Sequence, residues 1–299
     1  MTHSLEARTK EETVESRASL RGRIVRNRIL RSPRVMIPAV FLVLVTLVSV
    51  AAPLIAPQSP TELAAQPLLP PSTAHLLGTD DFGRDVLSRL VYAGRISIGV
   101  AGVSVFAATV VGVSLGLLAG YYRGWVETLI MRAMDLVLSF PTIVLAIAIV
   151  AALGASVRNV IIVIAIIYTP QFARVVHGAT LSVRDADYVE AARSIGAGDL
   201  RILRTAVLPN VLAPILVQVS LSLGIAILVE TGLSFLGLGA QPPTPSWGNM
   251  VSDARPFMEF YPWLLIAPAA TIGLTILALN TLGDGLRDAL DPRMGGAGS

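Results

Sequence analysis

The chain has 299 residues, 54% of them hydrophobic and only 14% charged, with a mean hydropathy of +0.70. Soluble domains carry about 25% charged residues, so an ordinary water-soluble globule is excluded and a membrane protein is indicated. The net charge of +3 comes from arginines gathered near the N-terminus and beside apolar runs, a sign of membrane topology and not of nucleic-acid binding. There is no cysteine, which removes disulfides, thiolate metal sites and Cys nucleophiles; His3, His75 and His177 are scattered, so no metal site is expected.

Residues 1–35 alternate acids and bases and end in RGRIVRNRILRSPR, a run too charged for hydrocarbon that reads as a cytoplasmic arm beside anionic lipid. Residues 36–56 supply about the ~20 apolar positions that cross ~30 Å of bilayer and form the first transmembrane helix. Small residues from Ser49 to Ala52 resemble a cleavage site, but the long charged region before them favours a retained helix. Residues 57–95 form an external loop with a short helix, because Asp80, Asp81, Arg84, Asp85 and Arg89 rule out a span. A helix from Asp81 to Arg89 puts Asp85 and Arg89 at pairing distance, worth ~0.3 kcal/mol at a surface.

Residues 96–282 hold five further spans: Ile96 to Tyr121, Leu129 to Leu153, Val157 to Ala179, Val211 to Leu233 and Trp263 to Leu282. Gly99, Gly102, Gly112, Gly116 and Gly120 thin the first of these for close helix contact in lipid. The proline-rich stretch LGLGAQPPTPSWGNMVSDARPFMEFYP, before the last span, belongs at the external face. Residues 283–299 form a tail.

Between the fourth and fifth spans lies the polar run 187–209. Asp187 and Glu190 fit a capping box, Ala191 and Ala192 give a small-residue face, and Gly196 supplies a left-handed stop. Asp199 then caps a second helix in which Leu200, Leu203 and Val207 share a face, and Pro209 breaks the run. Six spans put both termini on one side. Arg184, Arg193, Arg201, Arg204, Arg287 and Arg293 fall on that side with the N-terminal arm, which makes it cytoplasmic.

The spacing of Glu190, Ala191, Ala192, Gly196, Leu208 and Pro209 resembles the EAA loop of the membrane subunits of ATP-binding cassette (ABC) importers, with Ala206 where that pattern often has isoleucine. Gly78, Thr79, Asp80, Gly83, Arg84 and Asp85, within GTDxxGRDxLSR, resemble the segment preceding the core helices of C-type permeases for dipeptides, oligopeptides or nickel. The tail, NTLGDGLRDALDPRM, resembles the same family. The resemblance implies an all-α polytopic membrane protein with six transmembrane helices and type I ABC importer permease architecture. It also implies a bacterial inner-membrane location, a B-type permease partner, two ABC ATPase domains and an external substrate-binding protein. Asp187 to Pro209 is then a coupling element seated on an ATPase. The external motif has either a packing or gating role, or only that of a surface ion pair.

No GxxxxGK[ST] phosphate loop and no nucleophile elbow are present, so no catalytic residue is assigned and no cofactor is expected on this chain. ATP and Mg belong, on the resemblance, to the partner ATPases. Asp135 and Glu230 are carboxylates within apolar spans, and each either lines the pathway or makes a helix–helix polar contact. Pro141 and Pro170 are candidate kinks, and Arg174 and His177 read as surface anchors or loop contacts. An ion-coupled secondary transporter is the alternative class; it predicts midplane ion ligands and commonly an internal repeat, and no convincing repeat is found.

Overall fold

The computed structural model describes residues 32–63 and 65–290. His3, Arg293, most of the N-terminal arm and the end of the tail lie outside the described residues. Helix α1, Pro33–Val50, opens with a proline at its first position, where a missing N–H costs nothing. A short turn of helix, Ala52–Ile55, extends it.

Helix α2, Val86–Tyr122, is 37 residues long, ten of which the sequence reading gave to the external loop. The boundary moves because Asp85 caps this long helix, accepting from the Ser88 amide at 2.8 Å and the Ser88 hydroxyl at 2.7 Å. No separate helix from Asp81 to Arg89 forms. Along α2, Gly112, Gly116 and Gly120 recur every fourth residue and lie against helix α5, Val157–Arg184. A Cβ on Gly116 would stand 2.6 Å from the Ala173 carbonyl oxygen, and one on Gly120 would stand 2.7 Å from Thr180 Cβ. Their absence lets the two backbones approach, and this seam is the centre of the bundle.

The third predicted span is broken. Helices α3, Gly124–Leu138, and α4, Thr142–Leu153, meet at 88°. Pro141 is the physical cause: it has no N–H to bond backward, and its ring disfavours a helical residue 140. Among the described residues, five helices are long and apolar enough to cross a membrane, or six spans if the bent pair counts as one.

After α5 comes the short helix α6, Asp187–Ser194. Helix α7, Asp199–Phe235, then runs without interruption through Pro209. The expected break is replaced by a π turn at Leu203–Val207, whose extra residue accommodates the proline two positions later. Helix α8, Trp247–Ala254, is opened by a capping box between Ser246 and Asn249. Helix α9, Trp263–Leu290, continues past the predicted end of the last span into residues assigned to the tail.

Two buried clusters hold these elements. One fills the bundle around Tyr168, Phe172, Ile164, Leu233 and Trp247. Trp247 ties α8 to α2, its backbone N–H donating to Ser97 Oγ and its indole N–H to the Leu90 carbonyl, both at 3.2 Å. The other, of Tyr121, Val176, Val189, Ile202, Leu203, Val207, Val211 and Ile215, seats the 187–209 segment against the opposite end.

Candidate functional site

The 187–209 segment is an exposed helix–turn–helix packed on the bundle through Val189 on one arm and Ile202, Leu203 and Val207 on the other. Ala186, not Asp187, is the cap of α6, and it makes no side-chain hydrogen bond. The predicted capping box is absent because Asp187 is already the first helical residue, where its charge still complements the helix dipole. Gly196 holds φ at 78°, the left-handed conformation, and nothing lies within 4 Å of where its Cβ would be. It is needed there for backbone shape and not for space.

Asp199 is likewise the first residue of its helix and not the cap, which is Gly198. Its carboxylate instead accepts the Tyr121 hydroxyl at 2.8 Å, from the end of α2. The Arg193 guanidinium sits 5.1 Å from the centre of the same tyrosine ring. Tyr121 thus joins both short arms of the segment to the longest helix, a role that its place at the edge of an apolar span does not announce. Val189 is fully buried, whereas Glu190 and Ala191 face outward and Ala192 is half-buried. Ile195 is 85% exposed, Leu200 60% and Tyr188 47%, and Glu190, Arg201 and Arg204 of the same segment are exposed as well. Leu208 is half-buried and Pro209 exposed, just beyond the π turn.

At the far end of the bundle the GTDxxGRD motif folds into a buried knot. Asp80 Oδ1 accepts from the amides of Phe82 and Arg84 at 2.9 Å, and Oδ2 lies 2.6 Å from Arg84 Nε and 3.3 Å from Arg89 Nε. Asp85 does not pair with Arg89. Its caps turn it toward Ser88, and its other oxygen meets His75 Nδ1 at 3.0 Å. Arg89 reaches the Pro60 carbonyl at 3.2 Å and Asp253, just before the end of α8, at 3.7 Å. Thr79 donates to the Gln66 carbonyl at 2.7 Å and accepts from the Leu69 amide at 2.9 Å. Gly78 and Gly83 form left-handed turns pressed against the Leu69 and Ala65 carbonyls. Burial pushes the carboxyls of Asp81 and Asp253 above the ordinary range; Asp80 adds to the rise at Asp81, and Arg84 offsets part of it. For Asp253 the offset comes from Arg89 and Arg84.

The two intramembrane carboxylates part company. Glu230 is 1% exposed and accepts from Ser234 Oγ at 2.8 Å, one turn along α7, so it is enclosed within the bundle. Asp135 is on the surface of α3 and pairs with Arg174 of α5 at 2.6 Å. His177 similarly meets Glu127 at 2.8 Å, which makes both α5 residues cross-links to α3 instead of anchors to a loop. Pro141 stands at the break in the third span, and Pro170 lies inside α5. Among the described residues no three His, Asp or Glu side chains converge as a metal site.

A bundle of membrane-length helices with an exposed helix–turn–helix at one end is the architecture of a polytopic membrane protein. Residues 112–296 match the family of binding-protein-dependent transport system inner membrane components. A dipeptide transport system permease protein of Alkalihalophilus pseudofirmus is 47% identical over 249 residues, covering 83% of this chain and 82% of the relative. A glutathione transport system permease protein of Pectobacterium atrosepticum is 49% identical over 224 residues, 75% of this chain and 74% of the relative. A di/tripeptide transport system permease protein of Pseudomonas aeruginosa is 46% identical, covering 81% and 82%. An inward-facing structure of the MetNI methionine ABC transporter superposes with a TM-score of 0.58 at 18% identity over 69% of this chain and 98% of that one, a likeness of fold. The chain belongs to the binding-protein-dependent transport inner membrane component family, as a multi-pass permease with the fold of an ABC transporter's membrane subunit.

Proposed function

We propose that the chain is half of the translocation pathway of an ATP-driven importer of dipeptides or oligopeptides. Its B-type partner permease supplies the other half, two ABC ATPase domains bind ATP and Mg, and an external binding protein delivers the peptide. Support for the substrate class comes from the dipeptide, di/tripeptide and glutathione permeases to which the chain is similar. The nickel alternative is not favoured by these relatives.

The observation that carries the coupling role is the exposed apolar set of Tyr188, Ile195 and Leu200 on a segment that is fastened to α2 through Tyr121. Exposed apolar side chains on a segment that also carries exposed charge fit a protein partner, and the junction through Tyr121 lets a push on the segment move a transmembrane helix. In this reading Asp187, Glu190, Ala191, Ala192, Gly196, Leu208 and Pro209 belong to the docking element, which faces the cytosol with both chain termini. The arginines around the segment support that orientation. The far-end knot of Gly78, Thr79, Asp80, Gly83, Arg84 and Asp85 then braces the external face.

Purification of the tagged chain from its native membrane in mild detergent tests the reading. An ATPase and a second permease are expected to co-purify, and the ATPase is expected to be lost on Glu190→Arg with Gly196→Val. A homo-oligomer that lacks an ATPase and still transports under an ion gradient would overturn it in favour of a secondary transporter.

A further inference from the structure

Polar side chains from three helices form one continuous track in the membrane layer. Arg174 Nη2 donates to Asp135 Oδ1 at 2.6 Å, with the two side chains 51% and 44% exposed. One turn away on the same face of α5 lies Gln171, whose Oε1 accepts from Gln218 Nε2 of α7 at 3.4 Å. Gln218 Nε2 also contacts Ser222 Oγ at 3.1 Å. Gln171 stands half-way along the 28-residue α5, and Gln218 in the middle third of Leu208–Phe235. The two glutamines are therefore near the middle of their helices, away from the headgroup ends where long polar side chains reach water by snorkelling.

A half-exposed ion pair continuous with two half-buried amides is not a lipid-facing surface: such groups in membrane helices face protein or a water-filled cavity. The rest of α5 sharpens the contrast: between Arg158, exposed in its first turn, and the helix middle, the exposed positions Ile162 and Ile166 are apolar and suit hydrocarbon. The Asp135–Arg174 pair is also unlike Glu230, which is carried inside the bundle.

We infer that Gln171, Arg174, Gln218 and Asp135 line the half of the substrate route nearest the 187–209 segment, and that the ligand they pass is a short zwitterionic peptide. The inference rests on the importer reading and adds to it the wall that meets the cargo. The chemistry matches the ligand. A glutamine amide both donates and accepts, as a peptide bond does. Arg174 offers a fork for a terminal carboxylate and Asp135 an acceptor for a terminal ammonium, so the ion pair exchanges partners as a peptide passes, with no charge left alone.

The chain has no cysteine, so single cysteines report on their own positions. Gln171→Cys, Arg174→Cys and Gln218→Cys, with Ile162→Cys and Ile166→Cys as lipid-facing references, are to be placed in the full complex in membrane vesicles. A charged, water-soluble methanethiosulfonate reagent is expected to modify the three track positions and leave the references unmodified. A transported dipeptide is expected to slow modification at Gln171→Cys and Gln218→Cys severalfold, while a non-transported amino acid does not. Unmodified track cysteines in a complex that still imports peptide would overturn the inference, and their cross-linking to the second permease would make this face a subunit contact. Equal modification with and without dipeptide would overturn the ligand assignment. Absence of peptide import by the complex carrying the unsubstituted chain would instead count against the importer reading. Should Arg174→Cys fail to assemble, the two glutamine positions, which remove no charge, decide the matter.

Discussion

Tyr121 touches both arms of the exposed segment, with its hydroxyl on Asp199 and its ring beneath Arg193. Tyr121→Phe keeps the ring and loses one charge-assisted bond, which costs about 1.5 to 3 kcal/mol. In the assembled complex this substitution is expected to lower the peptide imported per ATP hydrolysed. Combined with Asp199→Ala, which takes away the acceptor, the loss in thermal stability is expected to be smaller than the sum of the two singles, because both remove the same bond. Additive losses would show that the two residues act separately. At the other end, burial raises the carboxyl of Asp81, with Asp80 adding to the rise. A carboxyl whose folded value is raised binds protons more readily in the folded state. Its contribution is therefore fully present below the ordinary carboxylate range and is lost as pH rises through the raised value. Asp81→Asn is expected to reduce that part of the fall in melting temperature above about pH 4, as measured by thermal unfolding at stepped pH.

At the scale of elements, the α2–α5 seam carries the architecture. Gly116 faces the Ala173 carbonyl, the Val176 side chain and the His177 backbone nitrogen with no room for a Cβ. Gly116→Leu forces the helices apart, and overpacking of this kind costs about 1 to 3 kcal/mol or more. The expected result is a protein of lower melting temperature and lower abundance in the membrane. Gly99→Leu is the control: a Cβ at Gly99 meets nothing within 4 Å, so little change is expected there. The α3–α4 break and the π turn before Pro209 are the two irregular places in otherwise long helices, and each is attached to a proline. Pro141 produces a sharp bend, whereas Pro209 is absorbed by an extra residue per turn upstream. The different outcomes reflect neighbours: Leu203 and Val207 are held in a buried cluster, but Ser139, Phe140 and Pro141 are exposed.

For the whole molecule, a reporter active only outside the cytosol is expected to give signal when fused at Pro243 and none when fused at Gly198; the reverse pattern would invert the orientation. The all-α class, the apolar spans and the position of the polar 187–209 run were legible in the sequence, because hydropathy over some twenty residues and helix punctuation act locally. Gly196 was legible for the same reason, since a left-handed turn is a property of one residue and its immediate neighbours. What the sequence misassigned depended on partners distant along the chain. Asp85 and Arg89 have the spacing of a pair, yet each finds a better neighbour, Ser88 and His75 for one and Asp80 for the other. Asp187 and Asp199 have cap chemistry, yet both fall one position inside their helices. Tyr121, Gln171 and Gln218 gave no signal at all, because a tyrosine or glutamine in an apolar run has no pattern until another helix is brought beside it. Local patterning therefore determined which segments are helical and membrane-length, while only the tertiary packing of α2, α3, α5 and α7 decided which polar groups meet, since those contacts join residues as far as 78 positions apart.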